Sequence, residues 1–573
     1  MAESDPAPTW IVVGRTADGV AVALLDADGT ETGRRPVADL PAWVAETEAT
    51  HAPRWVWNDT PSWYDAMLAT GIRVARCHDL RLSHAILRDC MYVTDAAALH
   101  AAGDWDAAVG DIGDAPPALF ELDAVPGRAL PDGLDDALAE FRRQRDALAS
   151  ARDPARLRLL IAAESAGALL AAEMRAAGLP WDADAHDALL TGLLGSRPPA
   201  GGVPRELERA AGRVREALGD PTASLDSQPK LLRALHRVGV LAQSTSKWEL
   251  AQYDHPAIAP LLEYKKLARL MSANGWAWLD EWVRDGRFHP VYVPGGVVTG
   301  RWASSGGGAL QLPRQLRGAV RADPGWVLVV ADVAQLEPRV LAAMSGDTAL
   351  ADAARGRDLY AGIVARGALQ TRAEAKVAML GAMYGATTGD SGRLVPALRR
   401  AFPRAMALVD DAARIGEGGG IVATRLGRTS PPASGDWRAA QGRAGEAEAT
   451  DSDESRARRW ARDRGRFTRN FVVQGTAAEW ALAWLADLRG RLAALPPVPQ
   501  HEAAPRSGAA FERRAHLAFF LHDEVIIHAP AAQADAAAQA AVDAADAAGR
   551  LLFGSFPLDF PLDLRIAESA QKD

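Results

Sequence analysis

Two runs of apolar residues along the chain stop abruptly at acid. Trp326-Val-Leu-Val-Val330 leads through Ala331 into Asp332, and Leu517-Ala-Phe-Phe-Leu521 leads into His522, Asp523 and Glu524 before Val525-Ile-Ile527 resumes the apolar pattern. The first run predicts a buried strand ending on a carboxylate. One plain account of Asp332 is a cap for a helix beginning near Ala334. The second run predicts a β-hairpin with its acids at the turn, and the absence of glycine there leaves the acids unexplained by turn chemistry. Near the start, Trp10–Val13 and Val20–Leu25 read as strands joined through Asp18-Gly19, Trp55-Val-Trp57 as another, and 61–70 as a helix. Leu157, Leu160, Ile161 and Ala168 then share one helical face, with Leu170 and Met174 a further pair, and Gly178 and Pro180 mark the stop. The stretch 431–455 is polar, acidic and poor in large apolar residues, which predicts a mobile loop.

Composition narrows the class. The chain has 573 residues, 48% hydrophobic and 24% charged, enough for about two to four globular domains. A net charge of −9 argues against a broadly basic surface, so nucleic-acid binding would need a local basic cleft. The acidic N-terminus has no secretory core, and no run of about 20 apolar residues spans a membrane. Cys77 and Cys90 alone give neither a disulfide framework nor a zinc set, so a reducing cytoplasm is expected.

Carboxylates on adjacent strand ends form a hard-oxygen site suited to Mg²⁺. Two such ions about 4 Å apart activate an attacking oxygen and stabilise a leaving one. Three further patterns sit between and after the acids. Thr299-Gly-Arg-Trp-Ala-Ser-Ser305 precedes three glycines and Leu310-Gln-Leu-Pro313. Arg372, Lys376, Leu380 and Tyr384 recur every four residues, along roughly 18 Å of one broad helical face. Arg466, Asn470 and Gln474 recur likewise, leading into Gly-Thr-Ala-Ala.

Together these motifs resemble family A DNA polymerases, the class of bacterial DNA polymerase I, over roughly residues 160 to 573. Asp332-Val-Ala-Gln-Leu-Glu-Pro-Arg339 is similar to that family's Asp-Tyr-Ser-Gln-Ile-Glu-Leu-Arg, and His522-Asp-Glu524 to its His-Asp-Glu. The resemblance implies a multidomain α/β fold: a right-hand polymerase of palm, fingers and thumb behind a ribonuclease-H-like exonuclease-type domain. The implied boundaries are 1–150 for the exonuclease-like domain, 156–290 for the thumb region and 291–573 for palm and fingers, with fingers at about 350–465. No 5′-nuclease domain is expected to precede it.

The resemblance also implies roles. Asp332, Asp523 and the Val333 carbonyl would hold two Mg²⁺ ions, with Mn²⁺ possible in their place, and Glu524 would sit beside them. Arg372 and Lys376 would grip the triphosphate of a dNTP, and Lys376 would protonate the leaving pyrophosphate. Glu337 would be the steric gate under the sugar, Gln335 and His522 would also bind the nucleotide, His522 near the primer terminus in a supporting role, and Tyr384 would pack near the templating base. Leu380 stands where the family has an aromatic residue that stacks on the nucleotide. Arg301, Gln311, Arg466, Asn470 and Gln474 would contact primer–template DNA, and Lys265, Lys266, Arg269, Arg317 and Arg321 its phosphates.

The N-terminal part departs from its counterpart. The first strand carries no acid, so the metals of a 3′–5′ exonuclease would lack their first ligands, and a proofreading-dead scaffold is expected. Asp59, Asp65 and Asp79 are the residues that speak for the alternative, a working exonuclease joined to the polymerase. A catalytically impaired DNA-binding relative is the other alternative. The expected setting is a monomer in the bacterial cytoplasm, on the nucleoid, away from membranes.

Overall fold

The computed structural model describes residues 8–106, 130–199, 201–356, 358–385 and 389–571. Gly19 takes a positive φ, which lets Trp10–Thr16 fold straight back onto Gly19–Leu25 as an antiparallel pair. Glu31–Pro36 adds at the outer edge, and Arg54–Trp57 and Arg76–Asp79 add in parallel on the other side. Side chains alternate across this five-stranded sheet. Ile11, Val13, Trp55 and Trp57 pack against helices Leu40–Thr50, Thr60–Ala69 and Pro154–Ala177. Val12, Ala23 and Val56 face helix Leu134–Ser150 through Phe141. The expected strands and helix of this region are present.

The chain falls into two compact units. One comprises Met1–Gly178, Pro290–Leu310 and Asp323–Glu568; the other comprises Leu179–His289, Gln311–Ala322 and Ser569–Asp573. The second unit is mainly helical, with an aromatic core in which Trp181, Trp278 and Phe288 meet at ring-centroid distances of 5.0 to 5.9 Å. Arg317 in this unit is buried, which corrects the expectation that it faces DNA phosphates. Lys265 donates to the Thr245 hydroxyl at 2.7 Å.

Within the first unit a second sheet carries the acids. Its order is His516–Leu521, Glu524–Pro530, Trp326–Val333, Leu562–Ala567, all antiparallel. Trp326–Val333 lies inside the sheet, where an apolar run is buried on both faces. Asp332 is a strand residue, so the helix-cap account is overturned: the next helix, Leu336–Ser345, starts from Gln335, whose φ of 49° is left-handed. Two long helices, Asp451–Ala494 and Ala534–Phe553, pack together.

The stretch 431–455 holds structure where a mobile loop was expected. Ser434 accepts from the Trp437 N–H at 3.1 Å and starts helix Gly435–Ala444. Thr450 and Asp453 form a capping box that starts the 44-residue helix. Local caps fix this backbone despite its few large apolar residues. Among the described residues no helix is long and apolar enough to cross a membrane.

Candidate active site

The central strand and the hairpin bring the two acids together. Asp332 is directly opposite Glu524 in the ladder, and the Val333 N–H donates to the Asp523 carbonyl at 2.9 Å. His522 takes a φ of 59°, the left-handed conformation at the first position of a two-residue turn, where glycine is usual. Tyr292 braces the hairpin: its hydroxyl donates to the Phe520 carbonyl at 2.7 Å and accepts from the Phe520 N–H at 3.0 Å. Strain at a turn persists only where the surroundings enforce it, and it concentrates at functional sites.

Burial, followed by the charge of Asp332, pushes the Asp523 carboxyl up to about 7. Glu524 is buried beside it. Two carboxylates held together in low dielectric repel each other, and a divalent cation between them relieves that cost. No group of three or more His, Cys, Asp or Glu is clustered to hold an ion among the described residues. Two carboxylates and a backbone carbonyl are the donor set Mg²⁺ tolerates, because it keeps waters and takes substrate phosphates as its other ligands.

A cleft of about 310 Å³ opens at Asp523, lined also by Arg301, Gln335, Glu337, Leu380, Tyr384 and His522, while Asp332 and Glu524 lie outside its lining. Seven of the expected site residues therefore share one surface. Glu337 is gripped from two sides: Arg301 donates to one carboxylate oxygen, and the Tyr384 hydroxyl donates to the other at 2.6 Å. Burial and then the Glu337 charge push the Tyr384 phenol upward. Burial and then Arg301 pull the His522 imidazole downward, which favours its neutral form. Gln335 accepts from the Leu359 N–H at 3.1 Å.

Arg372, Lys376, Asn470, Gln474 and Arg466 lie outside this lining. Thr371 and Glu374 form a capping box that starts helix Arg372–Tyr384, and Gly385 ends it in the left-handed region. Lys376 is exposed on this helix. Arg372 is exposed too and pairs with Asp358 at 2.6 Å. Arg466, Asn470 and Gln474 follow one face of the long helix. Gln474 accepts from the Thr299 hydroxyl at 3.0 Å, and Arg466 pairs with Asp463. The side chain of Gln311 lies outside the described residues.

One supporting residue has no role in the sequence reading. Arg339 is completely buried and donates to four backbone carbonyls, those of Ala334, Ala354, Gly356 and Asp559, at 2.7 to 3.0 Å. Burial pulls its guanidinium down to about 10. It anchors the chain just after Asp332 and Val333. The available signal was an arginine set in an apolar helix, Pro338-Arg-Val-Leu-Ala-Ala343.

A family model described as DNA polymerase family A matches residues 206–569. A thermostable DNA polymerase I from Thermus filiformis is 26% identical over 407 residues, 63% of this chain and 43% of that protein. A DNA polymerase I from Chloroflexus aurantiacus is 32% identical over 319 residues, 51% of this chain and 30% of that protein. The chain thus spans less than half the length of either relative. Among solved structures, the POL domain of Pol1 from M. smegmatis, in complex with DNA primer-template and dNTP, superposes with a TM-score of 0.64 at 18% identity. The match covers 98% of this chain and 95% of that one.

Proposed function

This chain belongs to DNA polymerase family A, and from that membership we propose that it is a template-directed DNA polymerase. It adds dNTPs to a primer 3′-OH, and the leaving group is pyrophosphate. The observation that carries the reading is the placement of Asp523, in the hairpin turn bonded to the strand of Asp332, on the wall of a cleft that also holds Glu337.

Asp332, Asp523 and the Val333 carbonyl would hold the metal ions, and Glu524 is buried next to Asp523 in the chain. Two Mg²⁺ ions bound there supply activation of the 3′-oxygen and charge neutralisation at the leaving phosphates. Arg372 and Lys376 hold the triphosphate at the positive end of their helix, and Arg372 exchanges Asp358 for phosphate when it does so. Lys376 supplies a proton to the departing pyrophosphate. Glu337, fixed by Arg301 and Tyr384, fills the space a 2′-hydroxyl would need. Arg466, Asn470 and Gln474 check pair shape in the minor groove, where both kinds of base pair offer acceptors.

We propose further that the N-terminal domain is exonuclease-like in fold but inactive. Its first strand is apolar through the positions where metal ligands would be needed. Its aspartates have structural work instead. Asp79 caps helix Leu80–Arg88 and accepts from the Thr60 N–H and hydroxyl at 2.8 and 2.7 Å. Asp59 pairs with Arg81 at 2.8 Å, and Asp65 lies 3.6 Å from Arg175.

Primer extension with Mg²⁺ and the four dNTPs tests the reading, with Asp332→Ala as control. Extension by the parent and none by the variant is the expected result. Absence of extension by the parent overturns it. Shortening of a labelled primer without dNTPs would overturn the inactive exonuclease.

A further inference from the structure

The N-terminal domain contains a second cavity, remote in sequence from the acids of the polymerase cleft and not used by the function proposed above. It has a volume of about 470 Å³ and lies where two parallel strands begin, at the paired residues Trp10 and Arg54. Asp59 lies beyond the other end of Arg54–Trp57, and Asp79 ends the neighbouring parallel strand Arg76–Asp79. Helices Leu134–Ser150 and Pro154–Ala177 close the cavity through Phe141, Arg145 and Arg158.

One wall is aromatic. Phe141 lies 5.1 Å from Trp10 and 5.4 Å from His78, centroid to centroid. His78 bonds Gln144 at 2.7 Å, and burial pulls its imidazole down to about 4, so it adds no charge at neutral pH. The Trp10 indole Nε1 is buried with no hydrogen-bond partner among the described residues. An unpaired buried donor of this kind is an exception in folded proteins.

The rest of the lining is cationic. Arg54 sits with its guanidinium 5.6 Å from the Trp10 ring and donates to the Cys77 carbonyl at 3.1 Å. Arg145 donates to the backbone carbonyl of Asp28 at 2.6 Å. Neither arginine has a carboxylate partner among the described residues, and Arg158 is exposed at the rim. Burial and the neighbouring Arg76 both pull Arg54 downward, as expected of a cation short of counter-charge. Asp28 supplies the acid of the lining against three arginines.

Three arginines with unspent donors match a phosphate, and guanidinium forks suit its geometry. A site for a bare anion would have no use for an aromatic wall, here one whose Trp10 and Phe141 rings are tilted 55° to each other. A base would pack against one of these rings. The volume falls in the range of small-ligand sites. We propose that this cavity binds a nucleotide unit, its phosphate on Arg54, Arg145 and Arg158 and its base against Trp10 and Phe141. The unit is either a free nucleotide or the phosphorylated end of a strand.

The test is calorimetric binding of dAMP to the full chain carrying Arg372→Ala and Lys376→Ala, which silence the triphosphate grip in the polymerase cleft. Binding is expected to persist in that background. Adding Arg158→Gln, an exposed change that spares the fold, or Arg145→Gln should weaken it about tenfold or more. Deoxyadenosine and inorganic phosphate should each bind at least about tenfold more weakly than dAMP. A 5′-phosphorylated oligonucleotide that binds tighter than dAMP places the site on a strand end; the reverse order places it on free nucleotide. No dAMP binding, or binding untouched by both arginine changes, overturns the proposal. Equal affinity for inorganic phosphate overturns the nucleotide reading.

Discussion

The Tyr384 hydroxyl donates to Glu337 at 2.6 Å, joining the last residue of one helix to the first turn of another across the mouth of the cleft. Arg301 holds the second oxygen of the same carboxylate. A side chain pinned at both oxygens is a rigid wall, and rigidity is what steric exclusion requires. Glu337→Ala should therefore raise kcat/KM for rNTPs relative to dNTPs by about 10- to 100-fold, the discrimination a well-packed contact supplies. Tyr384→Phe should raise it less, because Arg301 remains. Single-nucleotide incorporation with dCTP and CTP measures both ratios. Ratios unmoved in both variants would mean that the carboxylate does not meet the sugar.

Leu380 lines the cleft half-buried, one helical turn before Tyr384, and packs against the apolar core behind it. At the proposed nucleotide position it is an aliphatic side chain without a π face. Leu380→Phe should add stacking of about 1–3 kcal/mol and lower KM for dNTPs by about tenfold. Steady-state incorporation by parent and variant decides this, and equal nucleotide affinity would count against a stacking position at 380.

Some of this site was legible in the chain because apolar runs announce strands. The apolar runs Trp326–Val330 and Leu517–Ile527 by themselves place Asp332 and Asp523 at or next to strand ends. The contact between Glu337 and Tyr384 was not legible. Each residue reads correctly on its own helix, but their meeting depends on how two helices pack. Arg339 was missed for a similar reason: its partners are backbone carbonyls from three separate segments, and carbonyls leave no trace in a sequence. The helix at Gly435–Ala444 was misread as loop because apolar content was weighed above the caps at Ser434 and Thr450.

Glu173 ties the N-terminal domain to the long helix. It accepts from Arg489 at 2.6 Å, from Arg73 at 3.0 Å and from the Tyr64 hydroxyl at 2.6 Å, all in the protein interior. Burial pushes its carboxyl up, but Arg489 and Arg73 more than offset this and hold it at about 2. Such a depressed group contributes stability that is present above its unfolded pKa of 4.5 and is lost as the pH falls toward 2. Glu173→Ala leaves Arg489 buried without its partner and should cost about 3–5 kcal/mol at neutral pH. Urea unfolding of parent and variant measures it. A cost below about 1 kcal/mol, the range of exposed pairs, would show that the triad is solvated.

Glu479 makes the opposite prediction with pH. It is buried in the long helix, with the Thr424 hydroxyl and the Leu426 N–H, at 2.9 Å, as its donors. Burial outweighs both and pushes its carboxyl from 4.5 up to about 7. Between those values the folded chain keeps a proton that the unfolded chain releases. Its contribution to stability is therefore complete below pH 4.5 and is lost as the pH rises toward 7. Glu479→Gln removes the titrating group while keeping an acceptor for Leu426. Relative to the parent, the variant should gain as much as about 3 kcal/mol on going from pH 4.5 to pH 8. Unfolding free energies of the two proteins at both pH values give this difference directly. A difference that stays flat with pH would mean that the Glu479 carboxylate is already ionised in the folded chain at low pH, with Thr424 and Leu426 solvating its charge well enough to cancel the cost of burial.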